Sequence, residues 1–227
     1  MIKAVIFDQD GVLVDSEPVY IKCFKDFLDA NDIHLDLEEI YTLAGCSGEM
    51  EKILLAKWWN QAKGDNLSPQ EVYKMCERFW EVTGAEKNFS YKDITNPHVK
   101  EVISTLKKDG YIVAIASSSS MDNIKHVAKE IGVSSYIDLI VSGHMFKESK
   151  PNPEIYNYTV SKLGLDKEEC LVIEDSTYGI QAAKAAGLVT VAKKDDRFYY
   201  NQSPADYKID DLIEILDIVK MKNENSV

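Results

Sequence analysis

The sequence predicts an α/β protein with a doubly wound parallel sheet and an inserted helical domain. From about residue 96 onward, short apolar runs alternate with amphipathic segments, which is the pattern of a parallel sheet with helices on both faces. One apolar strand, Ile2–Phe7, precedes this region. The block between them is about 75 residues long, has helical periodicity, and is too long for a simple connection. We therefore expect a domain inserted between two pieces of one core.

The first strand is followed at once by two carboxylates. Ile2–Phe7 is β-branched and aromatic, and the turn signal Asp10-Gly11 closes it. Asp8 and Asp10 therefore lie just past the strand end, and in a parallel sheet these ends face the ligand crevice. A purely structural explanation is a turn in which an Asx side chain caps local backbone N–H groups. On this segment alone, both interpretations remain open.

The helical block begins at Ser16, which we predict to be the N-cap of a helix with Glu17 in its first turn. Apolar residues then recur at helical spacing, and no convincing strand follows before Tyr91. Further helices are predicted over Leu37–Thr42, Met50–Asn60 and Pro69–Val82. We expect residues 16–91 to form the inserted domain, and residues 1–15 and 92–227 to form the core.

The second part of the core alternates regularly between strands and helices. The predicted strands are Tyr111–Ala116, Ile137–Val141, Leu171–Ile173 and Val189–Ala192. The predicted helices are Val99–Lys108, Met121–Ile131, Pro153–Leu163, Gly179–Ala186 and Ile209–Lys220. The tail Lys220–Val227 is polar and expected to fray. The segment Asp195–Pro204 is predicted to be a loop, and the sequence assigns it no role.

Polar side chains follow the ends of these strands. A serine run, Ser117–Ser120, follows one strand, a loop ending in Lys150 follows the next, and Glu174-Asp175 follows a third. Each has a structural explanation: Ser120 as an N-cap, Lys150 as a solvated loop lysine, and the acidic pair as a helix cap. Because all lie at the same end of successive strands, we expect them to form one site.

The composition limits the class of function. A net charge of −12 argues against nucleic acid or an anionic membrane as the main partner. There is no apolar run of about 18 residues, and a strand so near the N-terminus leaves no room for a signal peptide. Four cysteines without C-x-x-C spacing indicate reduced thiols. We expect a cytoplasmic protein, monomeric by default, that acts on a small molecule.

Four segments resemble, in order, the motifs of the haloacid dehalogenase superfamily. They are Asp8-Gln9-Asp10-Gly11, the serine after an apolar strand, Lys150-Pro151 and Glu174-Asp175. The stretches 8–15, 114–119, 149–156 and 172–187 are similar to the β-phosphoglucomutase-like branch of its phosphatases. The resemblance covers the whole core and implies a Rossmann-like catalytic core with an inserted helical cap domain. It also implies phosphoryl transfer.

The resemblance implies a role for each residue at the strand ends. Asp8 would be the nucleophile that attacks phosphorus and forms an aspartyl-phosphate. Asp10 would protonate the leaving alcohol and then activate water for hydrolysis. Ser117 would donate its hydroxyl to a phosphate oxygen. Lys150 would add a positive charge beside the nucleophile and the phosphate.

Mg²⁺ is the cofactor that this assignment requires. A phosphate facing several carboxylates is repelled by roughly 4 kcal/mol per pair of charges at 4 Å and an effective dielectric near 20. A divalent cation removes that barrier, and Mg²⁺ prefers hard oxygen ligands. The implied ligands are Asp8, the backbone carbonyl of Asp10, Glu174 and Asp175.

The choice of substrate depends on less specific signals. The predicted substrate-binding residues are Gln9, Glu17, Ser47, Gly48 and Ser118. Phosphoglucomutases of the family have an arginine where Gly48 falls, which grips a second phosphate, and a hinge histidine where Tyr20 stands. We therefore favour a phosphatase of small phosphorylated metabolites, such as sugar phosphates. A β-phosphoglucomutase-like mutase is the alternative.

Overall fold

The computed structural model describes residues 1–85 and 89–224. Its internal contacts divide the chain into two compact units. One comprises Met1–Asp15 and Tyr91–Val227, and we call it the α/β unit. The other comprises Ser16–Ser90, and we call it the helical unit. Among the described residues, no helix has the length and apolar character needed to cross a membrane.

A six-stranded parallel sheet forms the centre of the α/β unit. Its strands are β1 Ala4–Phe7, β2 Ile112–Ser117, β3 Leu139–Ser142, β4 Cys170–Glu174, β5 Val189–Lys193 and β6 Tyr207–Ile209. They are arranged in the order β3-β2-β1-β4-β5-β6, and every neighbouring pair is parallel. Strand β1 is apolar throughout and fully buried, as expected for a strand covered on both faces. The predicted α/β fold with a parallel sheet is confirmed.

The helical unit is built around aromatic side chains. Its α-helices are α1 Glu17–Ala30, α2 Leu37–Ile40, α3 Gly48–Lys63 and α4 Pro69–Thr83. Phe24 packs edge to face against Trp80 with ring centroids 4.9 Å apart, and Phe27 stacks on Trp59 at 5.8 Å. The indole N–H of Trp80 donates to the carbonyl of Cys23 at 3.1 Å. These rings join α1 to α3 and α4.

The start of the helical unit differs from the sequence prediction. Ser16 occupies the N-cap position of α1, but its side chain makes no capping hydrogen bond. The reason is its backbone, which is already helical (φ −83°, ψ −25°), whereas a capping residue is normally extended. The predicted helix over Leu37–Thr42 is also shorter, because the chain tightens into a 3₁₀ turn at Tyr41–Leu43.

The remaining helices belong to the α/β unit. They are α5 Val99–Lys108, α6 Met121–Glu130, α7 Glu154–Leu163, α8 Thr177–Ala185 and α9 Glu214–Glu224. Each of α6, α7 and α8 lies in the connection between two successive strands of the sheet. This alternation brings the carboxyl ends of the strands, and the polar residues that follow them, to one edge of the sheet.

The end of the chain differs from the prediction of a helix over Ile209–Lys220. Ile209 belongs to the sixth strand, and the helix begins at Glu214, whose carboxylate accepts hydrogen bonds from the backbone N–H groups of Asp210 and Asp211. A strand of three residues is too short to reveal its alternation in the sequence. The tail does not fray at Lys220, because α9 continues to Glu224. The predicted tail's last three residues lie outside the described residues.

Candidate active site

Strands β1 and β4 mark the point where the strand order changes direction. The chain adds β2 and β3 on one side of β1, and β4 to β6 on the other. Ligands of doubly wound sheets bind at such a point, beyond the carboxyl ends of the strands. Asp8 directly follows β1, its N–H donates to the carbonyl of Ile173 at 3.0 Å, Glu174 ends β4, and Asp175 follows it.

The three carboxylates at this point form a compact, buried group. One side-chain oxygen from each of Asp8, Glu174 and Asp175 lies within 4.8 Å of the others. We call this group the acidic cluster. Among the described residues, the carboxylate of Asp10 is not part of it. The contribution predicted for Asp10 is its backbone carbonyl, not its carboxylate.

Lys150 supplies a positive charge to the acidic cluster. Its Nζ donates to Asp8 Oδ1 at 2.8 Å, to Glu174 Oε1 at 2.6 Å and to the carbonyl of Ala116 at 3.1 Å. Burial alone would lower the pKa of Lys150, but the charges of Asp8 and Glu174 hold that pKa well above its ordinary value. The amine is therefore charged, and the interpretation of Lys150 as a solvated loop lysine is wrong.

Tyr156 is a member of the site that sequence reasoning missed. Its hydroxyl donates to Glu174 Oε1, the oxygen that Lys150 also contacts. The lysine Nζ lies 5.1 Å from the centroid of the tyrosine ring, within the range of a cation–π contact. Tyr156 is fully buried in the first turn of α7. The sequence offers only a tyrosine six residues after Lys150, which by itself does not indicate a contact with Glu174.

The electrostatic balance of the acidic cluster favours a bound cation. Burial and the charges of Glu174 and Asp10 together raise the pKa of Asp8 to about 8, although the charge of Lys150 opposes the rise. Among the described residues, the acidic cluster holds three buried carboxylates and Lys150 supplies one ammonium group, which leaves an excess of negative charge. Their hard oxygen atoms are the ligands that Mg²⁺ prefers. The residues present therefore fit a divalent cation.

Two glycines allow the acidic cluster to lie against the backbone. A Cβ added to Gly11 would lie 1.9 Å from Asp175 Oδ2, and one added to Gly179 would lie 2.0 Å from Glu174 Oε2. Gly11 also has a φ of +76°, a conformation that L-residues avoid. Any side chain at either position would displace a carboxylate of the cluster.

Hydrogen bonds from neighbouring polar side chains hold the carboxylate of Asp10. Its Oδ2 accepts hydrogen bonds from Ser119 Oγ at 2.9 Å and from Gln9 Nε2 at 3.2 Å. Gln9 is buried and also donates to Asn123 Oδ1 at 2.9 Å, while its own Oε1 has no hydrogen-bond partner among the residues that the structure describes. Sequence reasoning missed Ser119 and Asn123. Gln9 was predicted to bind substrate, and in this structure it contacts Asp10.

The other residues of the serine run have distinct positions. Ser117 ends β2, is buried, and accepts a hydrogen bond from the N–H of Ser119 at 3.1 Å. Its own hydroxyl proton can therefore be donated to another acceptor. Ser118, a predicted substrate contact, is exposed. Ser120 caps α6 by accepting from the N–H of Asn123 at 3.3 Å, which confirms its predicted structural role.

The predicted substrate contacts of the helical unit have local structural roles. Glu17 Oε1 accepts a hydrogen bond from the N–H of Gly45 at 3.0 Å. Ser47 is the N-cap of α3 and accepts from the N–H of Met50 at 3.4 Å. Gly48 is the exposed first residue of that helix. Whether Glu17, Ser47 and Gly48 also bind a substrate stays a prediction.

Comparison with known proteins identifies the family. The model of haloacid dehalogenase-like hydrolases matches residues 5–193. The chain belongs to the haloacid dehalogenase-like hydrolases. This confirms the resemblance carried by the four strand-end motifs, and it makes the chain a member of a family of enzymes.

Several members of this family are similar to the chain over most of its length. A phosphorylated carbohydrates phosphatase of Thermotoga maritima is 28% identical over 194 residues, covering 82% of this chain and 82% of that protein. Hexitol phosphatase B of Escherichia coli is 28% identical over 223 residues, covering 94% of each. The crystal structure of a β-phosphoglucomutase from Clostridium difficile has a TM-score of 0.80 at 23% identity, covering 100% of this chain and 99% of that one. The last likeness shows the shared fold.

Proposed function

We propose that the protein is a Mg²⁺-dependent phosphatase of small phosphorylated metabolites, with sugar phosphates as the first substrates to test. The observation that carries the proposal is the buried contact between Asp8 and Lys150 at the switch point of the sheet, beside a second acid at Asp10. The names of the two phosphatase relatives, which specify phosphorylated carbohydrates and hexitols, support this substrate class.

In the first step, the carboxylate of Asp8 attacks phosphorus, forming a new O–P bond while the bond to the substrate's alcohol oxygen breaks. Asp8 must be ionised to react, and the ammonium of Lys150 favours that form. Asp8, the carbonyl of Asp10, Glu174 and Asp175 would hold Mg²⁺. When bound, Mg²⁺ supplies further positive charge to offset that of the carboxylates and the phosphate.

Asp10 would serve as general acid and then as general base. It gives its proton to the departing alcohol. In the second step it takes a proton from the water that attacks phosphorus, while the bond between phosphorus and the Asp8 oxygen breaks, which releases phosphate and restores the Asp8 carboxylate. The donors Ser119 and Gln9 both contact Oδ2, so they fix the plane of this carboxyl group. Ser117 would donate its hydroxyl to a phosphoryl oxygen.

Substrate contacts are proposed for Gln9 and Ser118 in the α/β unit and for Glu17, Ser47 and Gly48 in the helical unit, which would act as the cap. A mutase would need a group to hold the second phosphate of a bisphosphorylated intermediate. Gly48 offers no side chain for this purpose, which favours hydrolysis over the mutase alternative. The proposed product is therefore free phosphate and an alcohol.

Phosphate release from a panel of sugar, hexitol and nucleoside monophosphates tests the proposal, with and without Mg²⁺. We expect Mg²⁺-dependent release by the unaltered protein, and a loss of several orders of magnitude in Asp8→Asn, because the uncatalysed reaction is very slow. Asp36→Asn, a change at an exposed aspartate of the helical unit, is the matched control. Conversion of a hexose 1-phosphate to its 6-phosphate without phosphate release would overturn the proposal in favour of the mutase.

A further inference from the structure

The loop between β5 and β6 contains a buried polar residue to which the sequence assigned no role. Gln202 is only 5% exposed, although it lies in a connection between an inner strand and the edge strand of the sheet. Burying an amide is costly unless its hydrogen bonds are made. Its Nε2 donates to the carbonyl of Asp175 at 2.6 Å and to the carbonyl of Lys193 at 2.7 Å.

These two carbonyls lie at the carboxyl ends of neighbouring strands. Asp175 follows the last residue of β4, and Lys193 is the last residue of β5. The register between the two strands ends with Glu174 opposite Ala192. The side-chain amide of Gln202 therefore links the segments that follow β4 and end β5, just beyond the point where the pairing of these two strands stops.

The loop is itself fixed on both sides of Gln202. The N–H of Asn201 donates to Thr177 Oγ1 at 2.7 Å, in the first turn of α8. On the other side, the N–H of Asp206 donates to the carbonyl of Thr190 at 2.9 Å. Gln202 thus extends from a segment that is anchored to α8 and to β5, and it can transmit that rigidity to the peptide of Asp175.

The position of this peptide decides where the Asp175 carboxylate lies. The carboxylate is so close to Gly11 that a Cβ there would overlap it. Magnesium requires near-ideal octahedral geometry with oxygen atoms at about 2.0–2.1 Å, so a small displacement of one ligand weakens binding. A residue that holds a ligand's backbone is then as important as a contact to the ligand itself.

We propose that Gln202 is a positioning residue for the acidic cluster. By holding the carbonyls of Asp175 and Lys193 together, it keeps the Asp175 carboxylate beside those of Asp8 and Glu174, where the three can bind Mg²⁺. This inference rests on the proposed function, because it takes the cluster to be the site of Mg²⁺. It assigns a task to the loop Asp195–Pro204.

Calorimetric titration of the substrate-free, full-length protein with Mg²⁺ alone tests the inference without measuring activity. Gln202→Met keeps the length of the side chain and removes the amide donor. We expect its Mg²⁺ affinity to fall about 10- to 100-fold, the usual effect of losing a group that orients a metal ligand. The increase in melting temperature on adding Mg²⁺ should be correspondingly smaller in this variant. Gln61→Met, the same substitution at an exposed glutamine of the helical unit, is the matched control and should leave Mg²⁺ affinity unchanged.

The outcomes separate the inference from the proposed function. Wild-type affinity in Gln202→Met, or a lower melting temperature without Mg²⁺ and no change in affinity, would overturn the positioning role and leave the phosphatase proposal intact. Failure of the unaltered protein to bind Mg²⁺ would overturn both. Should Gln202→Met not fold, Gln202→Asn keeps the amide but is one methylene shorter, and the same titration is expected to show at least a tenfold loss.

Discussion

The two units of the molecule differ in whether they bury charged side chains. In the α/β unit, Asp8, Glu174 and Asp175 are buried together, and the buried side chain of Lys150 joins them. Among the described residues, every buried aspartate or glutamate lies in this unit. The helical unit instead buries aromatic and aliphatic side chains, and its ion pairs, such as that of Lys22 with Asp26, lie at the surface.

This difference separates residues kept for chemistry from residues kept for packing. Burying a charge is unfavourable unless it is paired, and a buried pair is often no more stabilising than an apolar one of the same volume. Stability alone therefore does not explain why the α/β unit buries its acidic cluster. Clusters with strongly shifted pKa values are typical of functional sites, and the raised pKa of Asp8 fits that pattern.

The largest effect in this comparison of the two units is expected from removing the positive charge of Lys150, which contacts the acidic cluster. Lys150→Met keeps much of the side chain's volume but takes the positive charge away from Asp8 and Glu174. The kcat/KM for the best phosphate ester should fall about a thousandfold, the scale of losing a charged group that stabilises the transition state. Because Lys150 lowers the pKa of Asp8, the acidic limb of the pH–rate profile should also move to higher pH.

Steady-state kinetics over a pH series measures both effects. Lys147→Met is the matched control, because Lys147 is an exposed lysine near the start of the same loop. A Lys150→Met variant with nearly full activity would contradict the interpretation that the α/β unit buries charge for its chemistry, since the buried ammonium would then have no part in the reaction.

The residues that could be predicted from the sequence are those whose position follows from the strands. Asp8, Lys150 and Asp175 each follow a strand, so topology alone brings them to one edge. Tyr156 could not be found this way, because its contact with Glu174 depends on how α7 packs against the sheet. Gln202 could not be found for a second reason. Its partners are backbone carbonyls, which every residue has, so the sequence does not indicate them.

The helical unit was predictable in outline and not in detail. Periodicity located α3 and α4, since apolar residues recur at helical spacing. It could not tell a capping serine from a serine beside a helix, and Ser47 proved to be the first kind while Ser16 proved to be the second. That distinction depends on backbone angles, which tertiary contacts set.

A smaller effect is expected from Tyr156→Phe, which tests the support of the acidic cluster rather than its charge. The change removes one hydroxyl, and among the described residues it leaves Lys150 as the side-chain donor to Glu174 Oε1. Loss of a buried hydrogen bond to a charged group should lower the free energy of unfolding by about 1–3 kcal/mol. Activity should fall about tenfold through displacement of Glu174.

Urea unfolding and phosphatase kinetics together measure this change. Tyr158→Phe is the control on the same helix, where the ring packs against Phe146 and, within the described part of the chain, the hydroxyl makes no hydrogen bond to the acidic cluster. Equal losses of stability in both variants would mean that the hydroxyl of Tyr156 has no special contribution to the cluster.

The smallest effect is expected in the helical unit, where the partly exposed carboxylate of Asp29 can be neutralised. Hydrogen bonds from Lys25 and His34 lower the pKa of Asp29. A lowered pKa stabilises the folded protein above the unfolded pKa of about 3.9 and loses that contribution as the pH falls through the folded value. Melting temperatures of the unaltered protein and Asp29→Asn should therefore differ slightly at pH 7 and converge at low pH. A difference in melting temperature that persisted at low pH, or one as large as that caused by Tyr156→Phe, would contradict this expectation. It would show that the charged groups of the helical unit contribute more than weak surface ion pairs do.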